Sequence, residues 1–259
     1  MNKKRSDYSI KSIKRAIQVL NSFTINKCEL GVTELSKILN LHKSTIHRIL
    51  VTLSSEGLVV KNQVSQKYHL GITLFKWGCI VQNQMEIRSY ALPIMKDLAQ
   101  RTEESVDLNI ISDRKRVSIE KIESYHDIRR VIKLGESLPL YTGGSGKVLL
   151  SSWPDEEIWK FIQEEKLVSF TPNTITDPVK LLENLKEIRE KGYGIAFEER
   201  ILGATSIGAP ILNYLGKVIA SISISGPTAR FDEQKISIFI SLVKEAAMKI
   251  SVLLGYREE

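Results

Sequence analysis

The sequence predicts a mixed α/β chain of the α+β kind, built from two modules, and three observations predict it. Amphipathic helical patterns followed by a hairpin pattern fill about the first 71 residues. Short β-rich runs with helices segregated around them fill the rest. The charge is also unevenly divided: residues 1 to 70 hold 12 Lys+Arg against 4 Asp+Glu, a net +8, whereas the remainder hold 25 against 26, a net −1. Cations gathered in one module suit a polyanion partner, because phosphate neutralisation supplies most non-specific nucleic-acid affinity; a basic solvated face without a partner is the alternative. A length of 259 residues allows one or two domains with full cores. No run of about 18 uncharged apolar residues occurs, and the basic start "MNKKRSDYSIKSIKR" leads into no apolar segment, so neither a membrane span nor a signal peptide is expected. The two cysteines, Cys28 and Cys79, have an uninformative spacing, and a cytoplasmic protein with free thiols is the simplest expectation.

In "IKSIKRAIQVLNSF", Ile10, Ile13, Ile17, Leu20 and Phe23 recur at intervals of three and four, which predicts a helix with these residues on one buried stripe. Thr33 is expected to cap a short second helix carrying Leu35, Ile38 and Leu39. Asn40 and Leu41 make a tight break before a third helix, from about His42 to Ser55, which Gly57 stops. Two short helices across such a turn form a helix-turn-helix unit. In "LVVKNQVSQKYHLG", Leu58 and Val60, then Tyr68 and Leu70, flank a polar tip from Asn62 to Gln66, a hairpin pattern. Three helices and a hairpin describe a winged helix-turn-helix.

If Ile46, Ile49, Leu50 and Leu53 pack inward, Lys43, Ser44, Thr45, His47 and Arg48 project from the N-terminal half of the third helix. A helix needing only solubility would use Glu and Lys there, which form better helices and pair at i,i+4. That half is the part a recognition helix sets in the major groove: hydroxyls reach phosphates or base edges, and Arg48 can fork onto guanine. Thr33, with Lys61 and Lys67 on the wing, completes the expected contacts to double-stranded DNA. A small helical protein-interaction domain would explain the packing stripe but neither the charge nor these polar choices.

"ITLFKWGCIVQNQMEIRSYALPIMKDLAQRTEES" predicts a linker helix to about Gln82 and a second helix from about Glu86 to Arg101. Leu74, Trp77 and Ile80 on the first of these need cover from the wing domain or a second subunit. Strands are expected in "SVDLNIIS", "RVSIEKIES", "RRVIKL", "YGIAFEE", "ATSIGAPIL" and "KVIASISISG". Helices are expected in "GSGKVLLSS", "DEEIWKFIQ" and "PVKLLENLKEIREKG", the last opened by Asp177 and Pro178, and from Glu233 to Leu254 behind the cap Asp232.

Four blocks, "ELSKILNLHKSTIHRILVTLSSEGLV", "LGESLPLYTGGSGKVLL", "EIREKGYGIAFEE" and "GATSIGAPILNYLGKVIASISISGPTAR", give the chain a resemblance to the IclR family of bacterial transcription regulators that covers nearly all of it. The resemblance implies a winged-helix DNA-binding domain over 1–71, a linker helix over 72–85 and a GAF-like antiparallel-sheet effector domain over 86–259. It also implies a homodimer or dimer of dimers on a pseudo-palindromic operator, with repressor and activator using the same contacts. A small organic acid is the implied effector, lined by the loop Tyr141, Gly143, Gly144, Ser145 and Gly146. The opposite wall falls on Ala196, Ser206, Ser223 and Ser225. Family members commonly have a cysteine at Ser206, and acid-sensing members can have an aspartate at Ala196, so its loss here argues against glyoxylate-like ligands.

The residues leave alternatives open at two of these places. In "LYTGGSGKVLL" the glycines free backbone N–H groups at a helix N-terminus, where a carboxylate is favoured, but a purely structural turn into a helix fits as well. A phosphate-binding P-loop does not fit, since Tyr141 and Val148 stand where it needs glycine and a hydroxyl. Ser221, Ser223 and Ser225 share one strand face, which suits either a ligand or water. None of His42, His47, His69 and His126 lies in a nucleophile or metal motif, and Glu198 and Glu199 point apart if on a strand, so neither an enzyme nor a cofactor is expected.

Overall fold

In the computed structural model, which describes residues 9–131 and 133–257, the chain divides into two units, Met1–Gln84 and Met85–Glu259. Lys3, Lys4 and Arg5, part of the basic excess, lie outside the described residues.

The first unit contains α1 (Lys11–Asn21), α2 (Val32–Leu39), α3 (Lys43–Ser55), a hairpin of β1 (Val59–Lys61) and β2 (Tyr68–Leu70), and α4 (Ile72–Gln84). Its core is Val19, Phe23, Leu30, Leu35, Ile46, Leu50, Leu53, Val59 and Tyr68. The stripe expected on α1 holds only in part: Leu20 and Phe23 face the core as expected, but Ile10, Ile13 and Ile17 are exposed, and Ala16 and Val19 take their place. The four inward residues keep the i, i+3, i+4, i+7 spacing but lie toward the C-terminal end of α1, which shifts the face away from the isoleucines. Thr33 is not the cap of α2. The helix begins behind Gly31, whose N–H donates to the Glu34 carboxylate at 2.7 Å, and Thr33 sits exposed in the first turn. Ile38 is exposed as well. Asn40 adopts the left-handed conformation that ends α2, at φ 51°, as the tight break requires. The hairpin keeps only part of the expected phase: Tyr68 is buried as expected and Leu58 packs against the core, but on β1 it is Val59 that is fully buried, whereas Val60 and Leu70 are exposed. No residue of α4 is buried, and Trp77 is 52% exposed.

The second unit contains α5 (Glu86–Thr102), β3 (Ser105–Ser112), β4 (Lys115–Ile122), β5 (Ser137–Leu138), α6 (Gly144–Ser151), α7 (Asp155–Glu164), α8 (Pro178–Lys191), β6 (Gly194–Phe197), β7 (Ala204–Leu212), β8 (Val218–Pro227) and α9 (Glu233–Leu253). The strands form one antiparallel sheet in the order β5-β4-β3-β8-β7-β6. The expected caps are in place: Asp177 accepts the Val179 and Lys180 N–H groups, and Asp232 accepts that of Lys235. The expected strand in "RRVIKL" is absent among the described residues, Ile132 lying outside them; the edge strand is β5. Gly135 turns the chain at φ 74° and donates its N–H to Ser118 O, so the pairing begins only beyond it.

Strand alternation gives the sheet two unlike faces. Val106 and Leu108 of β3, Ile207, Ala209 and Ile211 of β7, and Ala220, Ile222 and Ile224 of β8 pack with residues of α5 and α9 in one core. The intervening positions are mostly polar or small; on β3 and β8 Ser105, Asp107, Asn109, Ser221, Ser223 and Ser225 are buried too, while Ser206 of β7 is half-buried. The three serines of β8 therefore do not face water. Across the sheet Ser223 stands opposite Asp107, Ser225 opposite Ser105 and Ser206, and Ser206 opposite Ala196. The short helix α6 lies against this face with all eight residues buried. Its approach depends on glycine: a Cβ at Gly144 would stand 2.7 Å from the Gly194 carbonyl oxygen and 2.9 Å from Gly208 N.

Candidate functional site

On α3, the hydrophobic spacing that buries Ile46, Leu50 and Leu53 turns Lys43, Ser44, His47 and Arg48 to solvent, with Thr45 half-buried beside them. Among the described residues, Lys43, Arg48 and Lys61 are in no ion pair, so their charges are free to meet an anion. Lys67 differs, being held by Glu34 at 3.1 Å. The Gly31 N–H first, and then Lys67, keep the Glu34 carboxyl below the usual carboxylate range. Glu29 is held low in the same way by Asn62 and Ser65 at the tip of the wing. Two of the four acidic groups in residues 1 to 70 are thus tied to the wing, while the cations of α3 stay open.

The second unit holds a cavity of about 70 Å³ between the polar sheet face and the turn into α6, room for a few waters or a small ligand. Gly143, Ala196, Ser206, Ser223 and Ser225 line it. Tyr141, Gly144, Ser145 and Gly146 do not. The Tyr141 hydroxyl donates to Val168 O and accepts the Val168 N–H at 2.9 Å, on the side of a different cleft. Burial raises the Tyr141 phenol above its ordinary pKa, the hydrogen bond to Val168 opposing this in part. Gly144 and Gly146 are packed on backbone, and Ser145 Oγ receives Asn109 Nδ2 at 3.1 Å. The N–H groups expected to be free are also largely engaged: Gly143 donates to Glu199 at 3.1 Å and Gly144 to Ser206 Oγ at 3.0 Å. Because Ser206 Oγ accepts from Gly144, its own proton remains available to the cavity. Ser223 instead bonds to Asp107.

The charged lining was not legible from the motifs. Arg116 and Arg200 enter from β4 and from the bend after β6, with Arg130 and Lys133 beside them, against Asp107, Glu136 and Glu199. Arg116 is 9% exposed and reaches Asp107 only at 3.9 Å, and its Nε has no acceptor. Burial pushes its guanidinium below the ordinary arginine range; Asp107 opposes this, and the nearby Arg200 and Arg130 charges add to it. Arg200 contacts Glu136 at 3.5 Å, leaves a buried Nη1 without an acceptor, and is lowered chiefly by burial. Behind the cavity, Glu199 makes an ion pair with Lys147, which is 1% exposed and also donates to Ile195 O. The signal that could have found this lining is phase: Asp107 and Asn109, Arg116 and Ser118, and Ser221, Ser223 and Ser225 all fall on one face of adjoining strands. Buried guanidiniums with open N–H groups suit a carboxylate, which can accept from them in bidentate fashion. Among the described residues no His, Cys, Asp and Glu cluster could hold a metal, and no helix is long and apolar enough to cross a membrane.

Family models match both units of the chain. The family model for the IclR helix-turn-helix domain matches residues 12–63, and that for the bacterial transcriptional regulator IclR C-terminal region matches residues 79–252. The HTH-type transcriptional regulator KipR of Bacillus subtilis is 33% identical over 246 residues, covering 95% of this chain and 98% of that protein. The crystal structure of IclR from Thermotoga maritima is 33% identical with a TM-score of 0.72, covering 95% of this chain and 99% of that one. An IclR homologue from Microbacterium hydrocarbonoxydans, crystallised with 4-hydroxybenzoate, is 25% identical with a TM-score of 0.80, covering 94% and 98%. With an open basic recognition helix in a helix-turn-helix unit, followed by a curled antiparallel sheet domain, the chain belongs to the IclR family of DNA-binding bacterial transcription regulators.

Proposed function

We propose that the chain is an effector-responsive, sequence-specific regulator whose second unit senses a small carboxylic acid. The observation that supports this most is the pairing of a buried guanidinium, Arg116, with a partly buried one, Arg200, both lining the cavity and each with a buried N–H group that meets no protein acceptor. A buried donor without an acceptor costs free energy, which a carboxylate would recover. The homologue crystallised with 4-hydroxybenzoate supports the same class of ligand. Gly143, Ala196, Ser206, Ser223 and Ser225 would contact the acid with the two arginines, and Tyr141, Gly144, Ser145 and Gly146 would hold the wall from behind.

In the first unit, Lys43, Ser44, Thr45, His47 and Arg48 enter the major groove, and Thr33, Lys61 and Lys67 meet the backbone. Two such heads read a pseudo-palindromic operator from a homodimer or a dimer of dimers, in the cytoplasm, and the helix over 72–85 joins head to sensor. Ile72, Phe75, Trp77, Ile80 and Val81 on that helix are exposed in the single chain, a surface suited to burial against a second copy. The protein acts by binding alone, as a regulator without catalysis. Allosteric action requires that the acid bind one arrangement of the dimer better than the other. The test is a titration with small carboxylic acids, 4-hydroxybenzoate included, that records thermal stability and operator affinity together. A sensor responds in both. A response in neither would leave a constitutive DNA-binding regulator whose second unit serves only assembly.

A further inference from the structure

We infer that the cavity is built for a dianion, a short acid with two negative groups, rather than for a monocarboxylate. This rests on the reading of the cavity as an acid site and narrows it. The three carboxylates at the cavity already have cationic partners: Asp107 with Arg116, Glu136 with Arg200, and Glu199 with Lys147. Arg130 and Lys133 then remain, and among the described residues neither is in an ion pair. Counted with Lys147 behind the cavity, the side chains of the site therefore carry five positive charges against three negative, a surplus of two. A monoanion would leave one of them uncompensated.

The open hydrogen-bond donors divide in the same way. Arg116, nine-tenths buried, has a buried Nε without a protein acceptor, and its Nη2 lies near Gly143, where a Cβ would stand 3.9 Å from it. Arg200 offers a separate buried Nη1. The two guanidiniums and Arg130 lie close enough to repel one another. Three like charges gathered around a space lined by Ser206 and Ser225 are stable together once anions lie between them. A single carboxylate can bridge one guanidinium in bidentate fashion; two arginines on different elements, each with its own open donor, call for two anionic groups. The small cavity keeps those groups on a short carbon chain.

The experiment uses the full chain and matched straight-chain acids of three to six carbons, each dicarboxylate paired with the monocarboxylate of equal length: malonate with propionate, succinate with butyrate, glutarate with pentanoate, adipate with hexanoate. Binding is measured by calorimetry at constant ionic strength, in wild type, Arg116→Gln and Arg200→Gln. At least one dicarboxylate should bind tenfold or more tightly than its partner, and either substitution should erase that preference. Equal binding of both members at every length would overturn the dianion while leaving the acid site standing. A preference that survives both substitutions would overturn the assignment to these arginines. Binding of no acid at all would overturn the acid site itself, and the dianion with it. Since the central comparison is made in wild type, it stands even if a variant fails to fold.

Discussion

Lys43, Arg48 and Lys61 in the first unit and Arg116 and Arg200 in the second are all cations suited to an anion, yet they are held under opposite conditions. Lys43 and Arg48 stand in water and Lys61 is half-exposed, so the folding cost of their charges is small. Arg116 and Arg200 sit among sheet and turn with open N–H groups, and their desolvation is already borne when the unit folds. The outer site must displace counterions to bind, so its affinity should fall steeply with salt. The inner site is screened much less. The lesson is that one chemistry, cation meeting anion, takes on different energetics by placement alone, and that the inner site draws on the stability of its own unit.

The sharpest way to break this comparison is to orphan a buried charge. Glu199→Ala leaves Lys147 buried without its partner, and should cost about 3 to 5 kcal/mol in urea unfolding of the second unit. A loss under 1 kcal/mol would mean the pair is less enclosed than it stands here. Gly144→Ala comes next. Its Cβ would meet backbone rather than a movable side chain, and should cost about 1 to 3 kcal/mol by the same measurement. A variant as stable as wild type would show that α6 can lift from the sheet. In the first unit the effect should move from stability to binding: Arg48→Ala should leave the melting temperature unchanged but weaken operator binding by about 1 to 3 kcal/mol, with relaxed preference at one position in each half-site. Unchanged affinity would place base reading elsewhere. The smallest effect sharpens the salt contrast: Lys43→Ala should weaken all DNA sequences alike and reduce the slope of log K against log salt by about one. An unaltered slope would remove Lys43 from the phosphate contacts.

The same contrast explains what could be read in advance. The helix-turn-helix was legible because Ile46, Leu50 and Leu53 set the phase of α3 and leave its polar face to solvent, and because charge is countable without a structure. The end of α2 was legible in Asn40, and the starts of α8 and α9 in Asp177 and Asp232, since capping chemistry is local. Part of the α1 stripe was misjudged because Ile13 and Val19 are equally apolar, and only the position of the other elements decides which of them is covered. In the second unit five of the nine expected pocket residues line the cavity, since the family blocks mark its two walls. Arg116 was missed because a buried cation and a solvated one look alike on a strand; the difference lies in α6, which covers that face through Gly144, Gly194 and Gly208. Tyr141 was misplaced because adjacency to a glycine turn does not say which way a side chain leaves it.

Along β3 and β8 the residues that hold the second unit together and the residues that face the cavity take alternate places in the chain. Ile222 and Ile224 answer to the hydrophobic core, Ser223 and Ser225 to the cavity. A lineage can therefore vary the second set, one codon in two, while the first set stays under the constraint of packing. The residues that line the cavity and those that hold the fold are inherited on interleaved positions of the same strands, so a change of lining need not be a change of architecture.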